Sequence, residues 1–298
     1  MADVVGRPVD GLPARGKLQL ADQMQLHMGG CAASTGVGLA RLGVSVGIIG
    51  KVGADGFGDF ILSSLRTAGI DTSAIVRSMF TSTSATMVMV HSDGERSFIH
   101  YLGANAELSL ADIDFDHVLS ARIVHVGGSN LMPAFDGVPT AELLRRAREA
   151  GVLTSLDTAW DSQGRWLSLL SPCLQHLDYF VPSIEEARMI TGQKEPQDVA
   201  AFLLDRGVGT VALKMGGDGC YVRGPQGELR IPAYEVPVVD ALGAGDAFAA
   251  GFLAGLANGW DLEKTSLLAS AVGACAVTAL GATTGIRSMD ETLAFMSR

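Results

Sequence analysis

The feature that most constrains the fold is an alternation of short apolar runs with helix-like stretches, which sets in near residue 33. Ala33 to Leu42 has helical spacing and leads into Val44-Ser-Val-Gly-Ile-Ile-Gly50, an apolar strand candidate. Further strand candidates lie at Ile123–Val126, Val152–Leu156, Tyr179–Val181 and Val211–Lys214, separated by helix-like segments around 139–149, 183–191 and 197–206. Apolar strands repeatedly followed by helices give a mainly parallel sheet covered by helices, so the expected class is α/β. The 37 glycines supply the tight turns that such short connections need.

Two stretches break the rhythm, residues 4–28 and residues 84–101. In the second, Ala85-Thr-Met-Val-Met-Val-His91 and Arg96-Ser-Phe-Ile-His-Tyr101 flank Ser92-Asp-Gly-Glu95, a hairpin signal. Both stretches are expected to be strands of a small sheet that projects from the main body and closes over a ligand as a lid. The expected organisation is a main domain of residues 29–83 and 102–298 and a discontinuous lid of residues 4–28 and 84–101. The last third returns to the main domain, with strands near 220–231 and helices near 244–257 and 263–279.

A length of 298 residues, 48% of them hydrophobic, suits one large domain with a small appendage. The net charge of −10 argues against a general nucleic-acid binder, whose affinity rests on clustered Lys and Arg. Cys31, Cys173, Cys220 and Cys275 form no CxxC or Cys/His cluster, so neither a zinc site nor a disulfide framework is indicated. The chain has no run of about 18 uncharged apolar residues, and Asp3, Arg7 and Pro8 stand where a signal peptide has its apolar centre. The expectation is a cytoplasmic protein that does not engage a membrane.

Chemistry concentrates in Val238-Val-Asp-Ala-Leu-Gly-Ala-Gly-Asp-Ala-Phe248, which joins a strand candidate to the helical run Ala247–Leu256. Gly243 and Gly245 at a helix start let backbone N–H groups point outward and make an anion site with the helix dipole. Asp246 at that helix mouth is open to two uses, capping the helix or taking a proton from an attacking hydroxyl. Gly29 and Gly30, in Met28-Gly-Gly-Cys-Ala-Ala-Ser-Thr-Gly36, suit either a tight turn or a close backbone approach to a ligand. Lys214-Met-Gly-Gly-Asp-Gly219 is equally a hairpin turn or a ligand loop. In Pro182-Ser-Ile-Glu-Glu186, Ser183 and Glu186 match a capping box.

Taken together these segments resemble the ribokinase-like (PfkB) carbohydrate kinases. Asp240-Ala-Leu-Gly-Ala-Gly-Asp246 resembles the family's D-T-x-G-A-G-D signature, with Ala241 in place of Thr or Ser. The resemblance implies a ribokinase-like three-layer α/β sandwich with a β-sheet lid. It implies an anion hole at Gly243, Ala244 and Gly245, with Asp246 as the base. The Met28–Gly36 segment resembles the first signature, which implies that Gly29, Gly30 and Ser34 contact substrate, Ser34 standing where Asn is usual. Ala2-Asp3, followed by Val9-Asp-Gly-Leu-Pro-Ala-Arg-Gly16, resembles the end of the family's first strand and the start of the lid, implying that Asp3 binds sugar hydroxyls; the apolar run that usually precedes such an Asp is absent. Asn105 and Asp157 fall where relatives contact substrate or nucleotide.

For the nucleotide the resemblance implies Lys214, Gly216, Gly219, Asp240 and Ser183, with Glu186 organising Mg2+ through water. Carbonyls at Asp240, Leu242, Ala276, Ala279 and Gly281 resemble a monovalent-cation site for K+, against which stands an ordinary helix end with Gly281 as its left-handed cap. The expected activity is transfer of a phosphate from ATP to a hydroxyl of a small sugar or sugar derivative by a homodimer. The alternatives are a nucleoside kinase, kept open by His100 and Tyr101, and a ligand-binding relative without turnover, suggested by Ala241, Ser34 and Ser183.

Overall fold

The structure is a computed structural model that describes residues 1–297; residue 298, where the expected main domain ends, lies outside the described residues. The chain runs β1 (Ala2–Arg7), β2 (Gln23–Met28), α1 (Cys31–Arg41), β3 (Gly50–Gly53), α2 (Gly56–Thr67), β4 (Ile75–Ser78), β5 (Ala85–Val90) and β6 (Arg96–Tyr101). It continues through α3 (Phe115–Leu119), β7 (Ile123–Ser129), α4 (Val138–Glu149), β8 (Leu153–Thr158), α5 (Trp166–Leu174), β9 (Tyr179–Phe180), α6 (Ile184–Thr191) and α7 (Pro196–Leu204). It ends with β10 (Thr210–Lys214), β11 (Cys220–Gly224), β12 (Gly227–Ile231), α8 (Ala244–Ala257), α9 (Leu262–Ala276) and α10 (Met289–Met296).

The largest sheet has six strands in the order β12-β11-β10-β9-β8-β7. Strands β7 to β10 are parallel, and β11 and β12 add an antiparallel edge. Side chains of a strand alternate between its faces, and β10 shows the result. Val211 and Leu213 enter a core with Leu143, Leu144, Leu170, Ile184, Val199 and Leu203 from α4 to α7. Ala212 between them packs on the other side with Phe248, Phe252 and Ala269 from α8 and α9. Helices therefore cover both faces and give the three layers that the βα rhythm predicts. No helix among the described residues is long and apolar enough to cross a membrane.

The parallel pair β3–β4 forms a separate two-stranded sheet. The structure differs here from the sequence expectation: apart from a single bridge from Gly47 to Asp71, the expected strand Val44–Gly50 is not a ladder strand, and the ladder begins only at Gly50. Apolar content marks this stretch for burial, but a strand also needs a partner, and β4 supplies one only from Ile75 onward.

The small sheet has the order β2-β1-β5-β6, with β1 parallel to β5 and the other pairs antiparallel. The expected hairpin is present as β5 and β6. Asp3 is likewise relocated: it lies inside β1, a central strand of this small sheet. The register sets His27, Asp3, Thr86 and His100 side by side across the four strands, so all four share one face. On that same face follow Gln25, Val5, Val88 and Phe98, and then Gln23, Arg7, Val90 and Arg96.

Candidate active site

Residues 240–246 build the start of α8. Gly243 precedes the helix at a φ of +75°, and a Cβ there would lie 2.5 Å from the carbonyl oxygen of Ala282, so both conformation and space demand glycine. No side chain caps this 14-residue helix, and apart from the long 3.3 Å bond of the Ala244 N–H to the Ala241 carbonyl its leading N–H groups remain available to an anion. Asp240 braces the turn. Its Oδ1 accepts the N–H of Leu242 at 2.9 Å and Arg96 Nη2 at 2.8 Å, and its Oδ2 accepts the N–H of Gly281 at 2.9 Å. Burial alone would raise the Asp240 carboxyl, but these N–H groups and the guanidinium outweigh it and hold the group below its usual range.

Asp246 sits in the first turn of α8. Burial, and then the charge of Asp157, push its carboxyl up to about 7, against opposing pulls from Lys214 and from the side chains of Cys31 and Ser34. It does not cap the helix with its side chain. A carboxylate poised near neutrality is suited to general-base work. Lys214 Nζ bonds Asp157 Oδ2 at 2.6 Å, and a Cβ on Gly245 would lie 3.3 Å from Nζ, so a buried ammonium stands directly behind the anion turn. Burial also drives Asp157 up, to about 6, with Lys214 pulling against it.

The other side of the site is formed by β1 and the start of α1. The Asp3 carboxylate packs against Gly29, where any Cβ would lie 2.0 Å from Asp3 Oδ2. Its Oδ1 is buried without a partner, and burial raises the group despite Thr86, the chain's amino group, His100 and His27. An unpartnered buried acceptor suits a ligand hydroxyl. Gly30 precedes α1 at a φ of 100°, and the N–H of Ser34 donates to its carbonyl at 2.9 Å. One residue on, Thr35 Oγ1 donates to the backbone carbonyl of Asp246 at 3.3 Å, which ties α1 to α8. The side chains of Cys31 and Ser34, from α1, lie at the Asp246 carboxyl.

Ser183 and Glu186 do form a capping box: Glu186 Oε2 accepts the Ser183 N–H at 3.1 Å and its hydroxyl at 2.7 Å, and also the Thr158 hydroxyl at 3.1 Å. Gly216 and Gly219 lie in and after the tight turn between β10 and β11. Asn105 lies in a 3-10 turn just after β6. Helix α9 ends at Ala276 with Val277 at its cap, so Gly281 is not that cap; it stands farther on, at a φ of 88°, where its N–H serves Asp240. The N–H groups of Val239 and Asp240 both donate to Val277, which joins the turn holding Asp240 and Leu242 to the one holding Ala276, Ala279 and Gly281. Two members of this site carry no usable sequence signal of their own: Arg96 reaches it only through tertiary pairing, and Cys31 is marked only by following two glycines.

The model of the pfkB family carbohydrate kinases matches residues 1–289. The chain belongs to this family. The kinase is 29% identical over 282 residues to 2-dehydro-3-deoxygluconokinase of Bacillus subtilis, covering 91% of this chain and 86% of that one. It is 31% identical to aminoimidazole riboside kinase of Salmonella typhimurium over 279 residues, 90% of this chain and 88% of the other. A crystal structure of fructokinase with bound ATP from Xylella fastidiosa superimposes with a TM-score of 0.84 at 27% identity, covering 100% of this chain and 95% of that chain. The kinase is an ATP-dependent carbohydrate kinase with a ribokinase-like fold. Its relatives act on a sugar acid, a riboside and a hexose by their names, so membership of the family leaves the acceptor open.

Proposed function

We propose that the kinase transfers the γ-phosphate of ATP to a hydroxyl of a small sugar or sugar derivative, with Asp246 as general base. The observation that carries this reading is the placement of Asp246, raised to about 7, at the uncapped start of α8, with the Ser34 side chain of α1 at its carboxyl. Asp3 Oδ1 and the Gly29-Gly30 turn hold the acceptor. Asp246 takes the hydroxyl proton as oxygen attacks, and the N–H groups at Gly243, Ala244 and Gly245 receive the phosphate charge. The turn around Gly216 and Gly219 lies against the nucleotide, and Lys214 stands behind the phosphates. One oxygen of Glu186 is committed to the capping box, and the carboxylate fits an outer-shell role toward magnesium, which keeps several waters. Magnesium, when bound, neutralises charge on the phosphate oxygens. The two joined turns at 240–242 and 276–281 offer carbonyl oxygens, a donor set that fits potassium.

The small sheet, residues 4–28 with 84–101 and with β1 starting at Ala2, acts as the lid over a main domain of 29–83 and 102 onward. Its inner face carries Asp3 and Phe98, which is 57% exposed, and this aromatic beside His100 favours a nucleoside as second acceptor class. The outer face leaves Met24, Leu26, Met87, Ile99 and Tyr101 exposed. A contiguous apolar sheet face of this kind suits a second copy of the chain. Sedimentation is expected to give a dimer that Ile99→Glu dissociates; a wild-type monomer at micromolar concentration would remove the idea. The four cysteines are free, which suits the reducing cytoplasm.

The test is ADP release with Mg-ATP against pentoses, hexoses, sugar acids, sugar phosphates and nucleosides. One class is expected to turn over, with kcat/KM rising with pH and levelling above about 7, because the base works only when deprotonated. A rate that is flat from pH 5 to 9 would contradict Asp246 as the base. Ligand-induced stabilisation without turnover would favour a binding protein.

A further inference from the structure

We propose that Arg96 is the latch through which the lid hairpin sets the phosphate-binding turn, so that transfer is coupled to occupancy of the acceptor site. The latch rests on the small sheet acting as a lid. The hairpin β5–β6 has an acceptor end and a nucleotide end. At the first, Thr86 and His100 lie in the row that contains Asp3, with Thr86 Oγ1 3.0 Å from His100 Nδ1. Four residues along the same face of β6, roughly 13 Å away at ordinary strand rise, Arg96 reaches Asp240 at 2.8 Å. Phe98 stands between them on that face.

Asp240 is the point at which a lid residue can act on the anion turn. Two of its three N–H partners, Leu242 and Gly281, belong to the turns that the carboxylate braces; Arg96 alone comes from the small sheet. The Asp240 side chain is 4% exposed and that of Arg96 25%, so the pair is dry enough to matter and wet enough to open. The segment after β1 moves with the hairpin. Asp10 accepts the Ser92 N–H at 2.6 Å and its hydroxyl at 2.7 Å, fastening that segment to the hairpin tip. An acceptor that gathers the Asp3 end therefore draws Arg96 onto Asp240 and fixes the turn that carries Gly243 to Asp246. Without an acceptor the latch opens and the turn loosens, which protects ATP from water.

The experiment compares wild type, Arg96→Gln and Arg96→Lys by acceptor phosphorylation, by ADP release with and without acceptor, and by amide hydrogen exchange over residues 85–101. Arg96→Gln is expected to lower kcat/KM for the acceptor by about tenfold or more, the worth of a hydrogen bond between charged groups. It should also lower the factor by which acceptor stimulates ADP release, and speed hairpin exchange. Arg96→Lys, which keeps the charge, should recover part of each. An unchanged stimulation of ADP release by acceptor overturns the coupling, even if exchange is faster. If no acceptor is turned over by the wild type, the proposed function fails while exchange still decides the latch: faster exchange in Arg96→Gln supports it, and equal exchange overturns it.

Discussion

Asp246→Asn is expected to abolish acceptor-dependent ADP release, with a loss of about 10²- to 10⁴-fold, the usual contribution of a positioned base. The amide has nearly the same shape as the carboxylate and can still bond the side chains of Cys31 and Ser34, so the site keeps its packing. It cannot take the proton. Stability should move the other way. Asp246 is raised in the folded protein to about 7 from the ordinary 3.8, so its ionisation works against folding. That penalty is absent at pH below about 4, grows as pH rises, and is complete above about 7. Above that pH the variant should therefore be the more stable protein, by on the order of a few kcal/mol. A variant that melts higher and does not turn over identifies a base. A variant that retains turnover, measured at saturating ATP and acceptor, would show that the proton goes elsewhere.

Lys214→Met is expected to be the most destabilising single change near the site. It leaves the carboxylate of Asp157, whose side chain is 3% exposed, without its 2.6 Å partner. Breaking a buried pair from one side costs about 3–5 kcal/mol, because the remaining charge stays buried and alone. It also takes a positive charge away from Asp246, whose carboxyl should then rise further and carry the pH limb of any residual activity upward. Removing both charges, as Lys214→Met with Asp157→Leu, should recover most of the stability by denaturant titration and none of the activity. Recovery of turnover in the double variant would mean that the ammonium behind Gly245 has no part in transfer.

Helix α5, with Pro172 inside it, is not among the expected helices, but most of the α/β framework is legible in the sequence because β7 to β10 and the other helices between them, α4, α6 and α7, are strongly patterned. Their boundaries shift by only a few residues, as where the segment expected from 197 begins at Pro196, a residue well suited to a first helical turn. The anion turn is legible for the same reason: Gly243, Ala244, Gly245 and Asp246 are contiguous, and paired glycines at a helix start point to a left-handed turn or to a ligand held close to the backbone. Legibility fails where a partner comes from far away. Val44–Ile49 looks like a strand, yet its place depends on what stands beside it. Asp3 reads as the end of a strand of the main body, but it pairs with Thr86 and His27. Arg96 is an unremarkable cation after a turn until β6 carries it to Asp240, and the pairing of Asp157 with Lys214 shows only when β8 and β10 bring them together. Helix α2 leaves little trace in the pattern, since its glycine-rich start at Gly56 hides the apolar stripe of Ile61, Leu62 and Leu65.

The bond from the Thr35 hydroxyl to the carbonyl of Asp246 fastens the helix that bears Ser34 to the helix that bears Asp246. These two are fixed to each other within the main body, while Asp3, Phe98 and His100 ride on a separate four-stranded sheet. Under the roles proposed for these residues, a lineage with this inherited scaffold can exchange one acceptor for another by drift at Asp3, Phe98 and His100, while Arg96 and the two tied helices stay as they are and only the clientele changes.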